Sequence, residues 1–131
     1  MTIWRPAQSI RVKAIGLNWR DGRLLAAEVP QDDGHIKGVR PLGGTVEFGE
    51  TWQQGLRREF REELDVEITI TGEALVIENI YQHEGQTGHE VIFAADVVLP
   101  DVPSLAKDVI TFHEDNGMKC IARWFELDQL G

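Results

Sequence analysis

The stretch Gly43-Gly44-Thr45-Val46-Glu47-Phe48-Gly49-Glu50, running straight into Thr51 to Leu64, constrains this chain more than any other. Its second half reads as a helix, because Thr51 can cap the first turn with Gln54 three residues on and no proline interrupts the run. The expected length is about 14 residues, or about 20 Å. At about 100° per residue, Trp52, Leu56, Phe60 and Leu64 form one apolar stripe, while Glu59, Glu62 and Glu63 fall in an adjoining arc of about 100°. Glu63 is expected on the side that faces the protein, a poor place for a charge that serves only solubility.

Carboxylates one turn apart repel, so such an edge calls for protonation or a bound cation. A hard divalent cation is the economical answer, since Mg²⁺ takes carboxylate and carbonyl oxygens and keeps several waters, which suits a helix edge facing a phosphate. The competing reading is a solvated acidic face with Arg57, Arg58 and Arg61 as helix-pair partners. The glycines shift the weight. Gly43-Gly44 and Gly49 let the backbone turn tightly and approach a ligand closely, and a carbonyl near Gly43 can then add an oxygen to the carboxylates.

These residues resemble the signature of the Nudix hydrolases: glycine, five residues, glutamate, seven residues, Arg-Glu, a hydrophobic residue, any residue, Glu-Glu, any residue, glycine and a hydrophobic residue. Gly44, Glu50, Arg58, Glu59, Phe60, Glu62, Glu63 and Val66 match at that spacing, and Asp65 stands where the family has glycine. Aspartate tolerates the left-handed conformation better than most residues, so the turn after the helix is expected to persist at some strain. The likeness extends to Arg40-Pro41-Leu42-Gly43-Gly44, Glu78-Asn79-Ile80-Tyr81 and Gly88-His89-Glu90, and so to most of the chain.

Pattern alone supports an α+β domain. The resemblance implies an α/β/α sandwich around a mixed β-sheet with one catalytic loop and helix. It also implies metal-dependent hydrolysis of the pyrophosphate in a nucleoside diphosphate linked to another group, by water attack at phosphorus. By the same resemblance Glu59, Glu62 and Glu63 hold Mg²⁺, or Mn²⁺ as a substitute, with the Gly43 carbonyl as a further ligand. Arg58 then orients the carboxylates, and Glu50 fixes the loop or the metal shell. The general base is left among Glu59, Glu63 and Glu114, the last reaching in from a later loop or standing as a solvated turn residue. Arg40, beside the glycines, either binds substrate phosphate or pairs with an acidic neighbour.

A length of 131 residues suits one core, so a single domain over 1–131 is expected. The net charge of −9 argues against coating a nucleic-acid polymer but not against a small nucleotide carried in with its cations. No apolar run spans a bilayer, no signal-peptide core is present, and the lone Cys120 cannot form an internal disulfide. A cytoplasmic protein is expected, with Cys120 as a small core residue and a homodimer left open. Two rival functions stand: a catalytically silent nucleotide-binding regulatory module, which would be expected to have lost a carboxylate, and an RNA 5′-end pyrophosphohydrolase, which the acidic balance disfavours.

Elsewhere Ile10 to Trp19 reads as a strand turning at Arg20-Asp21-Gly22 into Arg23 to Val29, a first antiparallel pair. Pro30 to Gly38 is expected as a polar loop with a solvated His35, and Val39 to Leu42 as a short strand whose Pro41 points to an edge or bulge. Val66 to Thr71 alternates as a half-buried strand, and Glu73 to Tyr81 pairs with Glu90 to Leu99 across a turn at Gln82 to His89. Pro100 to Lys107 reads as a surface loop. Ile110 to Glu114 and Met118 to Phe125 join at Asp115-Asn116-Gly117, with a short terminal helix implied after Trp124 and an extended arm at Trp4-Arg5-Pro6.

Overall fold

Alternating strands and two-residue turns build most of the chain, and one capped helix lies across them. The computed structural model describes residues 5, 6, 8–30, 33, 35–113 and 119–126. Among these, nine strands form one mixed sheet: β1 (Ile10–Leu17), β2 (Trp19–Arg20), β3 (Arg23–Pro30), β4 (Ile36–Thr45), β5 (Thr69–Ile70), β6 (Leu75–His83), β7 (Gln86–Val98), β8 (Val109–His113) and β9 (Lys119–Glu126). A helix, α1 (Trp52–Leu64), joins β4 to β5. The strand order is β5-β7-β1-β4-β3-β9-β8, with β2 added to β3 and β6 to β7. β1 and β7 run parallel, and the remaining ladders are antiparallel.

The expected first hairpin forms only at its tip. Asp21 and Gly22, both at positive φ, turn β2 into β3, but β1 leaves that pair and instead takes β4 and β7 as neighbours. Asn18 makes the break. It is buried, its side-chain amide donates to the Val97 carbonyl at 3.0 Å, and its own carbonyl accepts from Leu25 N–H. β4 begins earlier than expected, at Ile36, which shortens the polar loop before it.

Pro41 lies on neither an outer edge nor a bulge, since β4 runs between β1 and β3. β4 pairs with β3 as far as Pro41 and with β1 only from Leu42 onward. The proline sits where one ladder hands over to the other, so its missing N–H interrupts neither. From Leu42 to Thr45 the side of β4 that faced β3 has no ladder among the described residues.

α1 forms as expected. The Thr51 hydroxyl accepts from Gln54 N–H, and the Gln54 side chain accepts from Thr51 N–H, a reciprocal cap that satisfies two otherwise unpaired donors. Leu56 and Phe60 are fully buried, with Trp52 and Leu64 at the flanks of the same stripe. Burying a side chain such as Leu56 or Phe60 stabilises the fold by roughly 1.5–3 kcal/mol. The Trp52 ring stacks on Phe93 of β7 at 6.0 Å, and Ala14, Leu25, Leu42, Val97, Phe112 and Ala122 complete the core beneath. Asp65 ends the helix at φ 55, ψ 44, in the left-handed region, with its N–H on the Arg61 carbonyl.

Val66, Ile68 and Ile70 alternate inward as expected, although only Thr69–Ile70 pair into the sheet. The turn between β6 and β7 is tighter than the expected Gln82 to His89: Glu84 and Gly85, both at positive φ, make it, and Gly88 pairs with Tyr81 inside the ladder. Pro100 to Lys107 is not merely a surface loop, because it includes a 3-10 turn (Pro103–Leu105) whose Leu105 is buried and whose Leu105 carbonyl accepts from Arg20. β8 and β9 pair as expected, from Val109 opposite Arg123 to His113 opposite Lys119, and Cys120 is buried. Glu114, Trp4 and the residues after Glu126, where a turn, an extended arm and a terminal helix are expected, fall outside the described residues. No helix among the described residues is long and apolar enough to cross a membrane.

Candidate active site

The end of β4 and the first turns of α1 pack against each other through a position with no side chain. A Cβ at Gly44 would overlap the Glu59 carboxylate, so the glycine leaves the room in which that carboxylate lies against the strand. Gly43 is pressed equally close to β1, where a Cβ would overlap the Ala14 carbonyl. Glu59 is buried, at 6% exposure, while Glu62 is exposed and Glu63 half-buried. Of the three carboxylates Glu59 is the most deeply buried, and Glu63, on the side expected to face the protein, borders a groove of about 260 Å³ with Ser104, Leu105, Lys107 and Ile110, between the end of α1 and β8.

Arg58 gathers the acidic side chains. Its guanidinium donates to Glu50 through Nε at 3.2 Å and Nη2 at 2.8 Å, to Glu59 through Nη1 at 3.0 Å and to Glu62 through Nη1 at 3.3 Å. Nη2 also donates to the Thr45 carbonyl at 2.9 Å, which ties α1 to the end of β4. Glu47 approaches Nη1 at 3.6 Å, and its backbone N–H donates to Glu50 at 2.8 Å. Thus Glu50 binds the loop backbone on one side and Arg58 on the other. Arg58 holds the Glu50 carboxyl below the ordinary carboxylate range, and the Glu47 N–H adds to that effect. The guanidinium in turn is held more firmly in its charged form, first by Glu50 and then by Glu59.

Arg58, Glu50, Glu59 and Glu62, all expected at the site, are brought together by this network. Glu63 lies one turn on from Glu59, facing the groove at β8. Arg40 is half-buried on β4, opposite Ala27, and donates to the Pro41 carbonyl at 3.4 Å. His35 is exposed and bonded to Asp33. Glu114 lies outside the described residues. Thr45 and Glu47 belong to the network although sequence reasoning passed them over. Their place inside the glycine loop was the available signal.

The donors along this edge are carboxylate oxygens with backbone carbonyls nearby, the hard set that Mg²⁺ and Mn²⁺ prefer. With Arg58 lying between Glu59 and Glu62, no three His, Cys, Asp or Glu side chains among the described residues converge as a ligand set. The cradle at Gly44 and the chemistry of the donors fit a divalent cation nonetheless. Glu59, Glu62 and Glu63 stand at i, i+3 and i+4 of one helix, the spacing that places side chains as neighbours on one face.

The model of the NUDIX domain family matches residues 9–131. No curated protein matches the chain. Among solved structures, the MutT NUDIX hydrolase from Burkholderia pseudomallei is similar at 24% identity and a TM-score of 0.55, covering 95% of this chain and 88% of its own. The E. coli ORF135 protein is similar at 23% identity and a TM-score of 0.56, over 92% of this chain and 76% of its own. A UDP-X diphosphatase is similar at 17% identity and a TM-score of 0.57, over 96% of this chain and 55% of its own. At these identities the likenesses establish the fold, the α/β/α sandwich around a mixed sheet.

Proposed function

The chain belongs to the NUDIX domain family and is a pyrophosphohydrolase of that family, and from that premise we propose that it cleaves the diphosphate of a nucleoside diphosphate linked to another group. The observation that carries the reading is the Arg58 network, which holds Glu50, Glu59 and Glu62 against the glycine loop. Residues 1–131 act together as one hydrolase unit in this reading.

Substitution at phosphorus by water needs little covalent work from the protein, so positioning and charge neutralisation carry the rate. Glu59, Glu62 and Glu63, with the Gly43 carbonyl, are the groups that would hold a divalent cation, Mg²⁺ or Mn²⁺. When bound, that cation neutralises phosphate oxygens and lowers the pKa of water. Arg58 orients the carboxylates through its hydrogen bonds, and Glu50 locks the loop so that Gly44 stays under Glu59. Glu59 and Glu63 are the described candidates for accepting the proton of the attacking water. Glu114, which follows β8 in the sequence, is a further candidate, and Arg40 a contact for substrate phosphate.

The test is a substrate panel with Mg²⁺ and Mn²⁺, measuring released monophosphate or phosphate. ADP-ribose, nucleoside triphosphates and a 5′-triphosphorylated RNA run side by side separate this function from an RNA-end enzyme and from a silent binding module. Glu62→Gln and Glu63→Gln should each lower kcat by orders of magnitude in a protein that still folds. Unchanged turnover in both variants, with metal still required, moves the metal site elsewhere.

A further inference from the structure

β1 alternates its side chains, so Ala14 and Gly16 pack toward α1 while Arg11 and Lys13 emerge on the opposite face of the sheet. On that face Lys13 Nζ lies 2.6 Å from Glu90 of β7, whose side chain is 8% exposed. The Tyr81 hydroxyl of β6 is bonded to the same carboxylate. Lys13 is therefore ion-paired with that carboxylate, while Arg11, which stands opposite Glu90 in the β1–β7 ladder and near Tyr81, forms no ion pair with it. Arg11 is half-buried, its Nη2 donates to Thr45 Oγ1 at 2.8 Å, and among the described residues no carboxylate forms an ion pair with it. In a protein of net charge −9, a half-buried guanidinium whose bonded partner is a hydroxyl retains donors for an anion from outside.

Thr45 links this face of the sheet to the helix side. Its hydroxyl accepts from Arg11 and its carbonyl from Arg58, so one residue at the end of β4 touches a cation on each face of the sheet. Past Pro41 the β3 side of β4 carries no ladder among the described residues, so the way from the helix edge to Arg11 crosses an open strand edge. We propose that Arg11 binds the phosphate of the substrate that is not attacked, the diphosphate lying across β4 at Thr45 with its reacting phosphorus on the helix side. This rests on the proposed function for the class of substrate. The planar guanidinium suits it, because one edge can stay on Thr45 while the other meets phosphate oxygens.

The experiment is binding of ADP to the full chain in the presence of a chelator, followed by calorimetry, with thermal melting as a check on folding. Arg11→Gln is expected to weaken ADP binding about tenfold or more. Arg11→Lys should fall between that variant and wild type. Lys119→Gln, which removes an exposed charge on β9, should bind as wild type. Arg11→Met, which keeps the apolar stem, replaces Arg11→Gln should that variant fail to fold. Equal affinity in wild type and the Arg11 variant, an equal loss in Lys119→Gln, or no ADP binding by wild type overturns the inference. An active wild type whose ADP binding ignores Arg11 overturns this inference alone. Arg11-dependent binding by a protein that hydrolyses no nucleoside diphosphate derivative overturns the proposed function alone.

Discussion

Asp65 occupies the position where the family signature has glycine, and its φ of 55° accounts for why glycine is favoured there. A side chain in the left-handed region is strained, and aspartate less so than most. Asp65→Gly should therefore stabilise the protein by a few tenths to about 1 kcal/mol in denaturant unfolding, through relief of that strain. A clear loss of stability would mean that the Asp65 side chain makes a stabilising contact. Tyr81 offers a second single-residue test, because it is the only tyrosine in the chain. Burial raises its pKa first, and the neighbouring Glu90 charge adds to the rise. Its phenolate absorbance should titrate with a midpoint above the ordinary value of about 10. Since the folded pKa is the higher one, Tyr81's contribution to stability is fully present below about pH 10 and is lost as pH rises through the folded value. A midpoint at or below the ordinary value would contradict the burial and the Glu90 bond. At this scale the helical wheel brought out the three glutamates but did not single out Glu59 as the buried one. Which carboxylate is buried depends on Gly44 passing under the helix, a non-local contact that helix periodicity does not contain.

At the level of elements, α1 and its entry loop act as one piece, stapled by the Thr51 and Gln54 cap at the start and by Arg58 across the gap to Thr45. Gly44→Ala tests that coupling, because the added methyl would displace the Glu59 carboxylate from its place on β4. Activity should fall by about 10-fold or more for a misplacement on the order of 1 Å, with helix content by circular dichroism unchanged. Activity equal to wild type would show that Glu59 does not need the cradle. The elements that were legible in the sequence are those whose instructions are local: the capping box, the Asp21-Gly22 turn, the alternation of Val66, Ile68 and Ile70, and the β8 to β9 pair. The elements that were misjudged depend on partners far along the chain. β1 reads as half of a hairpin but pairs in parallel with β7, and Pro41 reads as an edge residue because a handover between two ladders leaves no mark in a strand's own composition.

For the molecule as a whole, the site is assembled from the end of one strand and one helix, in a chain of net charge −9. The same acidity governs how copies of the protein meet. Among the described residues β6 pairs on one side only, with β7, and exposes Leu75 at 67%, Val76 at 56%, Ile77 at 40% and Ile80 at 61%. Natural sheets usually guard such edges with several charges, prolines or bulges, and here Glu78 is the one acidic side chain in the strand. Colloidal repulsion thus does the work that edge chemistry does elsewhere. As the solution approaches the isoelectric point of about 4.8, that repulsion vanishes and turbidity should rise steeply. Ile77→Lys should move the onset of turbidity to higher protein concentration, and an onset that ignores the substitution would place the adhesive surface elsewhere. At neutral pH, then, net charge as much as the fold is expected to keep copies of the protein apart.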